Sequence, residues 1–312
     1  MDFMLGGAAA CAACLFTNPF DVIKTRQQLQ GELSKAKPGG PNPYKSVFTS
    51  IRTIVKSEGI RGLQKGLPSA MLFQFIMNAT SNNNFLSQRL GIYEHMEKMG
   101  WTKDRGEHHS PFRIVVMGGM CGMIGSGIGA PFYLVKTQIQ AMSKGDSAVG
   151  TQHSHRGTMD AFRTIIREGG LKGLWRGASG IMCRTAVGSA SQLATFIEIK
   201  DFCHKYENSV FLTSSCASVV SGCCMVLSMT PLDVISTRLF NQAVDEKGRG
   251  VLYKNIFDCL IKTFKAEGFT GLYKGTMPNF YRAGPHTILH LTFWDLFKEW
   301  LSPYLSNPSP PN

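Results

Sequence analysis

The chain has 312 residues, 33 Lys and Arg against 21 Asp and Glu, and a formal charge of +12. Hydrophobic residues make up 43% and charged residues only 17%, below the roughly 25% of an ordinary soluble domain, so intrinsic disorder is excluded. Nine scattered cysteines, an odd number lying mostly within apolar runs, exclude a disulfide scaffold.

A bilayer crossing needs about 20 apolar residues, and six runs approach that length. Residues 3–20 carry no charge, and no basic or Arg-rich leader precedes them, so this run is expected to carry the insertion signal. Residues 66–88, 114–135 and 208–232 are also charge-free. Residues 177–197 and 275–294 each hold a single interior arginine, Arg184 and Arg282. Amphipathic stretches lie between the runs of a pair, as in Phe257, Leu260, Ile261 and Phe264 at i, i+3, i+4, i+7. The expectation is an all-α membrane protein with six transmembrane helices and short surface helices. The segments after the first, third and fifth runs hold 23 of the 33 basic residues. By the positive-inside rule these segments face inward and both termini outward. The positive charge therefore reads as topology, and no base-reading or stacking element supports nucleic-acid binding.

Each odd run ends in a related string: Pro19-Phe20-Asp21-Val22-Ile23-Lys24, Pro131-Phe132-Tyr133-Leu134-Val135-Lys136 and Pro231-Leu232-Asp233-Val234-Ile235-Ser236. A second string precedes each even run: Gly62-Leu63-Gln64-Lys65-Gly66, Gly173-Leu174-Trp175-Arg176-Gly177 and Gly271-Leu272-Tyr273-Lys274-Gly275. Three tandem repeats follow, over 1–105, 106–206 and 207–312, packed with pseudo-threefold symmetry. Proline in a helix removes a backbone hydrogen bond and kinks it. The acidic and basic positions beyond each kink share a helical face at i and i+3, so charges from three helices can close a ring. Small residues at spacing four (Gly118 and Gly122; Ser214, Ser218 and Gly222) are expected to permit close helix contacts.

These strings, repeated at about 100 residues, resemble the mitochondrial carrier family (solute carrier family 25). Asn18-Pro19-Phe20-Asp21 and Gly284-Pro285-His286-Thr287-Ile288-Leu289 resemble the branch holding members 34 and 35, related to yeast's oxaloacetate carrier. The resemblance implies a multi-pass inner-membrane protein of mitochondria with a central cavity opening alternately to each side. It implies a matrix gate at the kinks of Pro19, Pro131 and Pro231, pairing Asp21 with Lys136, Asp233 with Lys24, and Tyr133 with Ser236. Tyr133 and Ser236 depart from the acid and base, and both departures fall in one pair, which could still hydrogen-bond. A cytosolic gate would involve Arg89, Lys200, Asp295 and Lys298, with Asp295–Lys200 its one possible ion pair. Cardiolipin would bind near Trp175, Arg176, Gly177, Tyr273, Lys274 and Gly275. Gln64 departs from the aromatic position in repeat one.

Seven residues after the last Gly of each string stand Phe73, Arg184 and Arg282, equivalent by the repeat and at one depth. The resemblance makes these substrate contacts, with Gln74 and Thr185 as neighbours. A lone arginine in a span faces water or a partner. No acid lies in the same runs, so the two are expected to bind a small doubly charged anion, such as a dicarboxylate, oxoacid, sulfate or thiosulfate. His286 and His290 follow Arg282 on one face, either as a proton site or as polar lining. Cys11 and Cys14 have metal-motif spacing but lie in an apolar span, and no cofactor or metal is expected. The leading reading is a monomeric transporter exchanging or importing small anions; the alternative is a proton-leak or non-transporting protein of the same fold. No nucleophile–base constellation points to an enzyme.

Overall fold

A computed structural model describes residues 2–32, 43–79, 111–143, 145–204, 210–245 and 248–305. Repeat one contains α1 (Asp2–Leu29), α2 (Val47–Glu58), α3 (Ile60–Leu63) and α4 (Leu67–Ala79). Repeat two contains α5 (Pro111–Ala141), α6 (Thr158–Gly173) and α7 (Ala178–His204), and repeat three α8 (Val210–Asn241), α9 (Ile256–Leu272) and α10 (Thr276–Leu305). Among the described residues the only strand-like pairing is one bridge, Val244 to Gly250. Stretches of α1, α5 and α8 (Leu5–Leu29, Gly118–Ala141 and Leu212–Asn241) are long and apolar enough to cross a membrane. Helices α7 and α10, at 27 and 30 residues, are long enough but carry the arginines and histidines that lower their apolarity.

The surface helices begin where side chains can cap them. Ser46 and Thr49 form a reciprocal capping box at α2, and Asn255 accepts from the Asp258 N–H at α9. Each amphipathic helix then breaks at a glycine in the left-handed region: Gly59, Gly170 and Gly268, with φ of 73°, 62° and 71°. That break turns the chain into the next span.

The long helices pack in a ring in chain order: α1 on α4, α4 on α5, α5 on α7, α7 on α8, α8 on α10 and α10 back on α1. The odd helices α1, α5 and α8 also touch one another in pairs. Gly122 brings α5 close to α7; a Cβ there would lie 2.9 Å from Ser189 Oγ. At Gly222 on α8 the same expectation fails, because the space beside it is open.

The odd helices run through Pro19, Pro131 and Pro231. A helical proline leaves the carbonyl four residues back without its donor. The Leu15 carbonyl, four before Pro19, accepts from Gln64 Nε2 at 3.0 Å. The Gly127 carbonyl, four before Pro131, accepts from Trp175 Nε1 at 2.9 Å. Gln64 thus departs in residue type and keeps the bond: an amide N–H stands in for an indole N–H.

Candidate functional site

Where the odd helices meet, their motif residues form three corners. At the α1–α5 corner, Lys136 Nζ lies 2.7 Å from Asp21 Oδ2 and Arg282 Nε lies 3.0 Å from Asp21 Oδ1. At the α8–α1 corner, Lys24 Nζ lies 2.6 Å from Asp233 Oδ2 and Arg184 Nη1 lies 2.9 Å from Asp233 Oδ1. Gln28 Nε2 also donates to Asp233 Oδ2, at 2.8 Å, while its carbonyl oxygen accepts from Thr237. Each carboxylate therefore receives a lysine from an odd helix on one oxygen and an arginine from an even helix on the other. All these groups are buried or half-buried, where an opposite charge is needed to offset desolvation.

The α5–α8 corner follows the same plan with different chemistry. Tyr133 takes the acid's place, Ser236 the lysine's, Phe73 the arginine's and Phe240 that of Gln28. Tyr133 packs edge-on against Phe73 and tilted against Phe240, each with ring centroids 5.4 Å apart. The neighbouring cations close over this cluster: Arg184 lies 5.6 Å and Lys136 6.0 Å from the Tyr133 ring. The Tyr133–Ser236 pair, which could have hydrogen-bonded, packs instead, and the Ser236 hydroxyl donates to the Leu232 carbonyl of its own helix at 2.7 Å.

Two sequence expectations are corrected here. The arginines are not without acids: their partners come from the following odd helix, which run-by-run inspection cannot show. Thr185 is not on the cavity. Its hydroxyl donates to the Ile181 carbonyl at 2.8 Å and its methyl faces Gly122, between α5 and α7.

A small cavity of about 40 Å³ is lined by Asp21, Lys24, Phe73, Gln74, Arg184 and Arg282, among others. Four cations at its base face two carboxylates, leaving a surplus of two positive charges. His286 of α10 does not line the cavity itself but stands behind Gln74, which does. Thr17 donates its hydroxyl to the Ala13 carbonyl at 3.1 Å, so toward His286 Nδ1, 3.2 Å away, it can only accept. Gln74 Nε2 lies 2.7 Å from His286 Nε2 and donates there. These partners suit the neutral imidazole with its proton on Nδ1. His290 stacks beside it at 6.3 Å.

The remaining gate candidates among the described residues lie toward the far ends of α7 and α10. Lys200, Asp295 and Lys298 are exposed, and among the described residues no ion pair links them. Arg89 lies outside the described residues. The Asp295–Lys200 pair is therefore not made, whereas Lys24–Asp233 and Lys136–Asp21 are.

Sequence reading missed a second layer beneath the corners. Arg26 donates to Glu58 through both terminal nitrogens, at 2.7 and 3.0 Å, and Lys65 reaches the same carboxylate at 2.5 Å. In repeat three Arg238 donates to Glu267 at 2.6 and 2.8 Å, and Lys274 joins at 2.6 Å. Burial pushes both glutamates up, but the hydrogen bonds from their cations outweigh it and hold both below the usual carboxylate range. The available signal was Glu-Gly seven residues before Lys65 and Lys274. Lys274 is thus turned inward to Glu267 and the Gln30 carbonyl. Tyr273 is half-buried, Trp175 is exposed, and Gly177 and Gly275 take left-handed φ of 77° and 82° at the span entrances.

A family model described as mitochondrial carrier protein matches the chain three times, over residues 1–98, 107–207 and 207–305. The chain is 44% identical over 310 residues to solute carrier family 25 member 35 of Mus musculus, covering 97% of this chain and 99% of that one. It is 40% identical over 295 residues to the mitochondrial oxaloacetate transport protein of Schizosaccharomyces pombe, covering 93% and 88%. It is 38% identical over 297 residues to mitochondrial citrate transporter E of Aspergillus niger, covering 93% and 90%.

Proposed function

The chain belongs to the mitochondrial carrier family, and from that premise we propose that it moves a small, doubly charged anion across the inner membrane by alternating access. The observation that carries the reading is the surplus of two positive charges, one at each charged corner. A dicarboxylate or oxoacid such as oxaloacetate, or sulfate or thiosulfate, would neutralise it. The names of the fungal relatives, an oxaloacetate and a citrate transporter, favour the organic acids.

In this reading Arg184 and Arg282 bind the two ends of the anion, and Phe73 supplies the apolar third side. To bind, each arginine must turn from its aspartate toward the substrate, while the aspartate keeps its lysine. Substrate thereby removes one of two cations from each charged corner and weakens the closed gate, so its binding energy favours opening. The other proposed parts are the cytosolic gate of Arg89, Lys200, Asp295 and Lys298, a cardiolipin contact near Trp175 and Tyr273, and a monomeric, non-enzymatic protein.

The test is uptake of labelled malate, oxaloacetate, sulfate and ADP into proteoliposomes. The small dianions should be transported and ADP should not. Arg184→Ala and Arg282→Ala should each reduce uptake about 10- to 100-fold, matching the 1.5–3 kcal/mol of a hydrogen bond to a charged group. Normal uptake by either variant at matched reconstitution would remove that arginine from the site. Proton conductance without anion uptake would favour the leak alternative.

A further inference from the structure

Repeat two lacks the second-layer clamp of its neighbours and keeps one of its two cations, Arg176. The break glycines Gly59, Gly170 and Gly268 align the repeats, so Gly169 occupies the place of Glu58 and Glu267. Gln138 occupies the place of Arg26 and Arg238, and Arg176 that of Lys65 and Lys274. The repeat has lost the acid at this position and one cation, and kept the other cation; its acid stands one residue earlier, at the exposed Glu168. Among the described residues Arg176 makes no side-chain hydrogen bond or close ion pair and its Nε is buried and unpaired; the exposed Glu168, one residue before Gly169, acts on it through charge alone.

Other groups converge there. His155 Nε2 lies 3.0 Å from Gln138 Oε1, while Gln138 donates to the Phe240 carbonyl. His153 stacks on His155 at 5.5 Å, its Nε2 is 3.0 Å from the Asn241 carbonyl, and it feels the opposite charges of Arg176 and Glu168. The Asn241 side chain is fully buried against the same loop, with neither its amide nitrogen nor its oxygen paired. Buried polar atoms are rarely left so. At Gly169 a Cβ would meet nothing within 4 Å, and its φ is not in the left-handed region. The space for a carboxylate exists, and no side chain fills it.

We propose that this niche in repeat two binds a free oxyanion, a carboxylate or inorganic phosphate, which pairs with Arg176 where Glu58 and Glu267 pair with Lys65 and Lys274. The anion completes the second layer, so its presence on the loop side tightens the junction of α6, α7 and α8. The niche lies apart from the cavity and uses none of its residues.

The test is thermal unfolding of the purified full-length protein in detergent, titrated with inorganic phosphate at ionic strength held constant with chloride. Wild type should show a saturable rise on the order of 2–4 °C. The rise should persist in Arg184→Ala/Arg282→Ala, which separates it from the substrate cavity. It should vanish in Arg176→Gln. Gly169→Glu should supply its own carboxylate, unfold at a higher temperature without phosphate and no longer respond, whereas Gly169→Gln should not gain that stability. An undiminished phosphate response in Gly169→Glu, or no response in wild type, overturns the proposal. So does a result in which phosphate has no effect and Gly169→Glu cancels only stabilisation by added cardiolipin, since the seat would then belong to a lipid phosphate.

Discussion

Two corners of the kink-side ring are made of charge and the third of aromatic rings, and the contrast shows that a corner changes as a unit. Asp21, Lys136 and Arg282 at one corner, and Asp233, Lys24, Arg184 and Gln28 at another, set each carboxylate between a lysine and an arginine. At the third, Tyr133, Ser236, Phe73 and Phe240 replace the whole set. Replacing only one partner would leave a buried charge uncompensated, at about 3–5 kcal/mol, whereas replacing a set by packed apolar groups is often neutral or stabilising. The two designs also differ in what can undo them. An anion can compete for the arginine of a charged corner and has nothing to compete for at the aromatic one. The third corner thus closes without adding a cation, which keeps the surplus at two.

The largest expected effect breaks a charged corner. Asp233→Asn leaves Lys24 and Arg184 facing each other without a carboxylate, and should destabilise the protein in detergent by about 3–5 kcal/mol and abolish transport. Tyr133→Phe keeps the ring packing and should cost about 1 kcal/mol or less. Unfolding temperatures measured side by side decide the matter. Equal losses would mean that the aspartate is not what holds its corner.

An intermediate effect comes from rebuilding the aromatic corner as a charged one. Ser236→Lys places an ammonium near Arg184 with no acid of its own, and should impair transport strongly. Tyr133→Asp should be milder, because Arg184 and Lys136 already lie over the Tyr133 ring and can turn to the new carboxylate. The double variant pairs the two new charges, so its loss should be smaller than the sum of the single losses. A coupling of about 1–3 kcal/mol in the cycle is expected. Additive defects would show that positions 133 and 236 do not face each other.

Much of this arrangement was legible in the sequence. The three proline motifs placed the acids and lysines, and counting seven residues from Gly66, Gly177 and Gly275 placed Phe73, Arg184 and Arg282 at one level. The partners of those arginines were not legible, because Asp233 and Asp21 lie on the following odd helix and no spacing within one run relates them. Thr185 was misplaced for a geometric reason. One step along a helix turns about 100°, which carries it from the Arg184 face to the α5 side. Gln28 and Phe240 stand at equal distance from their motifs, but their roles depend on which acid comes opposite. Glu58 and Glu267 recur with the repeat and could have been found by aligning the break glycines.

The smallest effect tests the bonds that support the kinks beside these corners. Trp175→Phe removes only the indole N–H that the Gly127 carbonyl accepts. Because Pro131 cannot supply a donor, that carbonyl must find water or go unpaired, at a net cost of about 1 kcal/mol. Gln64→Leu should cost somewhat more, since Gln64 also accepts from Asn18 Nδ2 at 3.2 Å, and Asn18 in turn accepts from Gln140. Its loss reaches the α1–α5 corner through that chain. Gln64→Trp should recover the Leu15 bond but not the Asn18 one, and so fall between wild type and Gln64→Leu. Unfolding temperature ranks the variants. If Trp175→Phe and Gln64→Leu both match wild type, the two side chains merely lie near the proline-freed carbonyls, and the kinks are held by helix packing alone.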